Sequence, residues 1–211
     1  MYIPRANEET RLPVLHALMR AHPLASLVSV GENGLFATHL PMVVVEDPGG
    51  QGLGTLQGHI SRANPQWREF IADVDALAIF AGPQHYISAS WYPGKLEDGE
   101  EVPTWNYAVV HASGPLRIVE DPDWLLAHLT SLTDIHEAIS VEPWKVSDAP
   151  PDFIRTQMRG IVGLELPIRK LEGKWKASQN RNERDRQAVV DGLDRLGTAD
   201  ALTMKGLVER K

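Results

Sequence analysis

Cysteine is absent from the 211-residue sequence, which excludes disulfides, thiolate metal sites and cysteine nucleophiles. Long apolar runs are absent as well. No stretch approaches the roughly 20 residues that span a bilayer, and the N-terminus MYIPRANEETR has no apolar signal core. The expectation is a cytoplasmic protein with no membrane partner. An excess of positive charge is also lacking: the formal net charge is −7, whereas sequence-independent binding to nucleic acid relies on a basic face. The one dense basic cluster, Arg181, Arg184 and Arg186, is interleaved with Glu183 and Asp185, an alternation typical of a solvated helix face. Catalytic signatures are missing too. There is no G-x-S-x-G elbow, no H-E-x-x-H or H-x-H pattern, and no pair of carboxylates in an apolar setting. No catalytic residue is assigned and no metal is expected.

What is present is an ordinary apolar content and a length that suits one generous domain with a sizeable core. Residues 8–21 read as an amphipathic helix capped by Asn7 and stopped by His22-Pro23. Leu24 to Val30 and Leu35 to Val45 read as a hairpin around Gly31-Glu32-Asn33-Gly34. Pro41 inside the second run marks an edge, a bulge or a change of sheet. Asp47 to Gly52 is a turn, and Leu53 to His59 a third strand. Gly50, Gly52 and Gly54 miss the dinucleotide fingerprint and open no helix. Ala76 to Ala81 reads as a central strand, and Trp105 to Val119 as one long strand with a bend at Gly114-Pro115.

Pro93 to Pro103 is an acidic loop long enough to act as a lid. Asp121-Pro122 opens a helix whose buried stripe is Trp124, Leu125, Leu129 and Leu132. Residues 134–150 look irregular, with Trp144 tucked into a groove. Asp152 to Met158 is a short helix, Gly160 to Ile168 a strand, and Asn182 to Leu196 and Ala199 to Arg210 are C-terminal helices. Strands follow one another through short turns, so parallel βαβ units do not fit. The expected architecture is mainly β with peripheral helices: a single antiparallel-barrel domain over 1–211, with a helical extension from about 182.

The most site-like stretch is Gln57 to Ile71. A strand end meets His59, Ser61 and Arg62, then Asn64-Pro65, a strong helix opening over 65–72. One reading is a phosphate cradle at a helix N-terminus. The other is that Asn64 only caps and Arg62 is solvated. Four polar clusters fall at strand ends: Thr38-His39; His59 with Ser61; His85, Tyr86, Ser88 and Ser90; and Thr104-Trp105-Asn106. If these converge, Trp67, Tyr86, Trp91 and Trp105 would line a cavity suited to a flat, phosphorylated ring. His39, His59, His85 and His111 lie on strands, so haem or metal ligation is an alternative, although lone histidines are more often structural. Ser178-Gln179-Asn180-Arg181-Asn182 is either a turn capped by Asn182 or a set of donors for the edge of a heterocycle.

Several words of the sequence carry a further signal. MYIPR, ATHLP at 37–41, GHISRANPQW at 58–67, GPQHYISASWY at 82–92, VPTWNY at 102–107, RGIVGLEL at 159–166 and KASQNRNERD at 176–185 together resemble the PaiB family, described as FMN-binding negative transcriptional regulators. The resemblance implies a split β-barrel of the pyridoxamine-phosphate-oxidase and flavin-reductase type, in which a homodimer binds FMN across its interface. It also implies cofactor contacts from Thr38, His39, His59, Ser61, Asn64, Ser88, Ser90, Trp91, Thr104, Trp105, Asn106, Gln179, Asn180 and Arg181. The loop at 93–101, PGKLEDGEE, is longer and more acidic than that family suggests. No helix-turn-helix with a basic recognition face is visible, so direct DNA repression is the alternative to an indirect, flavin-dependent role.

Overall fold

A computed structural model describes residues 1–96 and 99–210. The chain divides into two compact units. Met1–Ala21, Ala81–His111 and Glu172–Lys211 form the first, and His22–Phe80 with Ala112–Leu171 form the second. In chain order the elements begin β1 (Glu8–Glu9), α1 (Leu12–Ala21), β2 (Leu24–Gly31), β3 (Gly34–Pro41), β4 (Val43–Val45), β5 (Thr55–Ser61) and α2 (Gln66–Glu69). There follow β6 (Ala76–Ile87), β7 (Thr104–Gly114), β8 (Arg117–Val119), α3 (Pro122–Glu137) and α4 (Pro151–Met158). The last are β9 (Ile161–Pro167), β10 (Lys170–Lys176), α5 (Glu183–Leu196) and α6 (Ala199–Glu209). Among the described residues no helix is long and apolar enough to cross a membrane.

In the second unit, β2 and β3 form the expected hairpin, with Ser26 opposite His39 and Leu27 opposite Thr38. Gly34 closes the turn at φ 108°, a value that a side chain would make costly. Pro41 marks a change of sheet. It ends β3, and the chain re-enters as β4 in a separate ladder ordered β4-β5-β9-β8. The run 35–45 is therefore two strands rather than one. Trp105 to Val119 is divided in the same way, because β7 ends at Gly114 and β8 belongs to the ladder with β9. Gly114 sits so tightly that a Cβ there would lie 2.0 Å from the Pro167 carbonyl oxygen. Asp121 caps α3 by accepting from the Trp124 N–H at 2.8 Å. The face of α3 buries Leu125 and His128, while Trp124, Leu129 and Leu132 are half-buried. Trp144 is not tucked away: it is 44% exposed, and what holds the segment is its backbone N–H donating to Glu137.

In the first unit the ladder runs β1-β10-β7-β6. The first helix starts at Leu12, not residue 8, because Glu8 and Glu9 pair as strand with Lys174 and Gly173. Glu9 then accepts from the backbone and guanidinium of Arg11, which holds its carboxyl below the usual range. The strand β10 is not legible in KLEGKWK, where lysines alternate with mixed residues. Helices α5 and α6 fall where expected. Asn182 accepts from Asp185 N–H, Gly197 terminates α5 at φ 61°, and Thr198 caps α6. Their shared core is Val189, Leu193, Met204 and Val208 against Ile87 and Tyr92. The loop expected as a lid begins with a 3-10 turn over Pro93–Leu96, and its residues 97–98 lie outside the described residues.

Two glycine substitutions should move stability in opposite directions. Gly114→Ala meets a backbone carbonyl that cannot rotate away, and a loss of about 3 kcal/mol is expected. Gly206→Ala lies in α6 with open space around its Cβ and should gain about 0.5–1 kcal/mol by stiffening the unfolded chain. Urea denaturation of both variants measures this.

Candidate functional site

Period-2 alternation organises the site. Along β5, Leu56, Gly58 and Ile60 are buried, which places Gln57, His59 and Ser61 together on the opposite face. His59 and Ser61 open into a cleft of about 470 Å³ in the second unit, shared with Thr38 and His39 of β3, Asn64, and Gln157, Gly160 and Ile161. Two of the sequence clusters, Thr38-His39 and His59 with Ser61, are thus brought together, and Asn64 ties them. Its Nδ2 donates to Thr38 Oγ1 at 2.9 Å, while its Oδ1 accepts from Gln66 N–H at 2.9 Å. A larger hollow of about 650 Å³ lies between α3 and α4, but it is lined mainly by apolar side chains and contains none of the residues singled out by the sequence.

The helix after Asn64 is shorter than the sequence suggests. Only Gln66–Glu69 is helical, not 65–72, because Phe70 turns extended and bridges back to Gly31. One turn carries little macrodipole, so an anion here would be held by side chains and turn groups. Gln66 is buried and anchors the turn to the hairpin by donating to Leu27 and Phe36 carbonyls and Ser29 Oγ. Arg62 is half-exposed but pinned, and it does not line the cleft. It donates to Glu120 at 2.6 Å and to the carbonyls of Arg159 and Ile161, stapling the loop to the start of β9. Trp67 lies within cation–π distance of Arg62 and Arg68 and does not line the cleft.

Both cleft histidines are held through Nδ1. His39 Nδ1 is 2.9 Å from Ser26 Oγ, its cross-strand neighbour. His59 Nδ1 is 3.1 Å from Nε2 of His128, a residue the sequence reading missed. His128 is 3% exposed and stacks on Trp124 at 5.2 Å, the two sharing a face of α3 at i, i+4. Burial, followed by the proximity of His59, lowers the His128 pKa to about 4; burial also lowers that of His59. Trp124 Nε1 donates to Glu165, which also accepts from Gln57. The W-x-x-x-H spacing at 124–128 was the available signal, but buried helical histidines rarely announce a site.

The remaining candidates lie in the first unit. Ser88 caps a 3-10 turn and its Oγ is 2.7 Å from Ser90 Oγ. Trp91 packs over Gly192 of α5, where a Cβ would sit 2.4 Å from the indole. Thr104 bonds Lys176. Trp105 is 48% exposed, meets Tyr86 edge-on at 6.0 Å and donates to Gln84. Asn106 is buried and donates to Ser178 Oγ at 2.9 Å. Gln179 uses its amide on the Ala177 N–H and the Trp175 carbonyl, and Asn180 is exposed. Arg181 pairs with Glu101 at 3.0 Å and covers the Tyr92 ring at 4.3 Å. Asp185 is buried at the same cluster, so this stretch is a solvated face only in part: Glu183 and Arg184 are exposed, and Arg181 and Arg186 are half-buried. His85 Nδ1 donates to the Tyr86 carbonyl, and burial lowers the pKa of His111. Among the described residues no group of three or more His, Asp or Glu side chains is placed to hold a metal ion.

A family described as "Putative FMN-binding domain" matches residues 1–170. Protease synthase and sporulation protein PAI 2 of Bacillus subtilis is 32% identical over 211 residues, covering 100% of this chain and 98% of that protein. The chain belongs to the FMN-binding PaiB family. An uncharacterized protein of Emericella nidulans is 30% identical over 244 residues, spanning 100% of this chain and 97% of its own length. Among solved structures, the FAD and heme binding protein of Mycobacterium smegmatis matches with a TM-score of 0.60 at 17% identity, covering 81% of this chain and 73% of that one. The flavocytochrome Anf3 of Azotobacter vinelandii matches at 0.59 and 13%, covering 82% and 72%. The fold of this PaiB-family chain is the split β-barrel that its sequence words imply, and it is a flavin-binding protein with FMN as cofactor.

The buried imidazole has a measurable consequence. An unfolded histidine protonates near pH 6.5, whereas His128 does so only at about 4. Between these values the unfolded state binds more protons, so stability present above pH 6.5 is lost as pH falls through the interval. We expect about 3 kcal/mol of such loss, absent in His128→Phe, read from urea midpoints across the acid range.

Proposed function

We propose that this PaiB-family protein holds FMN in the Thr38–His39–His59–Ser61–Asn64 cleft, at the interface of a homodimer, and that it acts as a flavin-dependent oxidoreductase or flavin sensor with an indirect effect on transcription. The observation that carries the reading is the lining of the cleft. It brings together two hydroxyls, two imidazoles and two amides with no carboxylate among them. That donor set fits FMN, whose phosphate and ribityl chain are rich in oxygen acceptors and hydroxyls and would be repelled by an acidic lining. Ser61 and Asn64 would meet the phosphate, and Thr38 and His39 the ribityl oxygens. Trp105 and Tyr86, both half-exposed, and Ser88 and Ser90 would offer aromatic rings and hydroxyls to a flavin ring across the dimer. Bound FMN supplies reversible electron transfer. What the chain contributes is orientation, exclusion of water and a field of neutral dipoles that favours one oxidation state over the other.

Charge supports an indirect regulatory role over direct DNA binding. Two arginines of the densest cluster are paired within the first unit, Arg181 with Glu101 and Asp185 and Arg186 with Glu183. With a net charge of −7, little positive potential is left for a phosphate backbone.

Titration of the purified protein with FMN, followed by quenching of flavin fluorescence, tests the reading. Saturable binding is expected, together with a light-scattering mass of two chains. Ser61→Ala and Asn64→Ala should each weaken binding by about 3- to 10-fold. A folded protein that leaves flavin fluorescence untouched would sink the cleft assignment. Bleaching of bound FMN by NAD(P)H identifies the oxidoreductase; a bound flavin indifferent to it identifies the sensor.

A further inference from the structure

We propose that His128 is a positioning residue for the cleft: its Nε2–H donates to His59 Nδ1, locking His59 as the neutral Nε2–H imidazole and presenting that N–H to an acceptor oxygen of the flavin. This inference rests on the flavin reading of the cleft and assigns a role to a residue outside it.

The geometry supports the assignment. At 3.1 Å, His59 Nδ1 and His128 Nε2 share one proton, so one ring donates and the other accepts. Two arrangements satisfy that contact. In the first, His59 donates from Nδ1, and His128 must then carry its own proton on Nδ1. That atom is buried without a hydrogen-bond partner among the described residues, and both rings would hold the less favoured tautomer of free histidine. In the second, His128 donates from Nε2, both rings hold the favoured Nε2–H form, and the buried Nδ1 of His128 keeps a bare lone pair against its surroundings. An orphaned buried N–H is among the rarest features of native proteins, so the second arrangement prevails. Among the described residues His59 is then left with Nε2–H as its one unengaged ring nitrogen, and the residue lines the cleft.

The neighbours of the pair hold this state. Trp124 stacks on His128 at an interplanar angle of 17° and is itself fixed by the bond from its Nε1 to Glu165. His59 lies opposite Gly163 in the ladder, and a Cβ on Gly163 would fall 2.4 Å from the Trp124 ring. A side chain there would therefore displace the indole and the histidine stacked on it. Ser26 also engages His39 at Nδ1, so the cleft receives two imidazoles whose Nε2 atoms remain for a ligand. Burial keeps the His59–His128 pair uncharged at neutral pH, and the donor offered is a directional neutral N–H.

The test combines a ligand-independent readout with binding. Long-range proton–nitrogen correlation spectra of protein labelled at the histidine ring nitrogens report each tautomer, with His59→Asn assigning the signal. His59 is expected as a fixed Nε2–H tautomer in the wild type, as a mixture in His128→Phe, and as Nε2–H again in His128→Gln, whose amide can donate in place of the imidazole. FMN affinity should fall about 3- to 10-fold in His128→Phe and recover in His128→Gln. A parallel titration with riboflavin locates the acceptor. A loss confined to FMN places it on the phosphate, and an equal loss for both places it on the part they share.

Finding His59 as the Nδ1–H tautomer in the wild type overturns the proposal, as does equal FMN affinity in wild type, His128→Phe and His128→Gln. A wild type that binds no flavin while showing the fixed Nε2–H tautomer overturns the flavin reading and the ligand half of the proposal. The two failures are therefore distinguishable.

Discussion

The missing side chain at Gly163 sets where α3 can lie. With no Cβ on β9 at that point, the Trp124 indole descends onto the strand, its ring edge within 2.4 Å of where a Cβ would stand. Its Nε1 then reaches Glu165 one alternation along the same face. Everything else on that face follows from this seating. Gln57 also donates to Glu165, and His128 one turn further along α3 is carried down to His59. A bulkier residue at 163 would lift the helix by the thickness of a methyl group or more, and a hydrogen bond of 3.1 Å does not survive such a shift. The candidate site thus depends on a packing event on the other side of one imidazole ring.

How much of this could be read from the sequence depended on whether the signal was local. Caps and turns were legible because their chemistry is completed within three or four residues. Asn182, Asp121 and the Gly31–Gly34 hairpin all behave as their types demand. Pro41 was legible as a discontinuity, although which kind of discontinuity is decided by the partner strand. The failures share a cause. β10 has no apolar alternation because its residues are half-exposed and mixed, and β1 exists only because Lys174 and Gly173 lie beside it. The helix at 66–69 stops early because Phe70 is taken by Gly31. Each is a tertiary contact overriding local propensity.

The cleft shows the same division. Thr38, His39, His59, Ser61 and Asn64 were singled out from strand ends and family words, and the structure gathers all five within one unit. His128 was invisible because it is a lone histidine in a helix whose apolar neighbours suffice to explain its burial. Gln66 was passed over although its amide reaches three acceptors across the hairpin. Buried amides and imidazoles matter because an unmade hydrogen bond inside a protein costs about 1–3 kcal/mol, and sequence patterns report burial poorly for such types.

A shared sequence word does not separate residues kept for a ligand from residues kept for packing. KASQNR shows how far internal contacts alone can occupy such residues. Ser178 holds φ 63°, a left-handed conformation that costs an ordinary residue about 1–2 kcal/mol, and its hydroxyl accepts from the buried amide of Asn106. Gln179 folds back on its own turn, and Arg181 lies over Tyr92 while pairing with Glu101. Each of these side chains already has a partner that would explain its presence without any cofactor. In GHISRAN the opposite holds for His59: one ring nitrogen is fixed from behind, and the other is left at a carboxylate-free opening. That asymmetry, one side of a polar group secured and the other without a partner among the described residues, is the observation on which the proposed flavin contact of His59 rests.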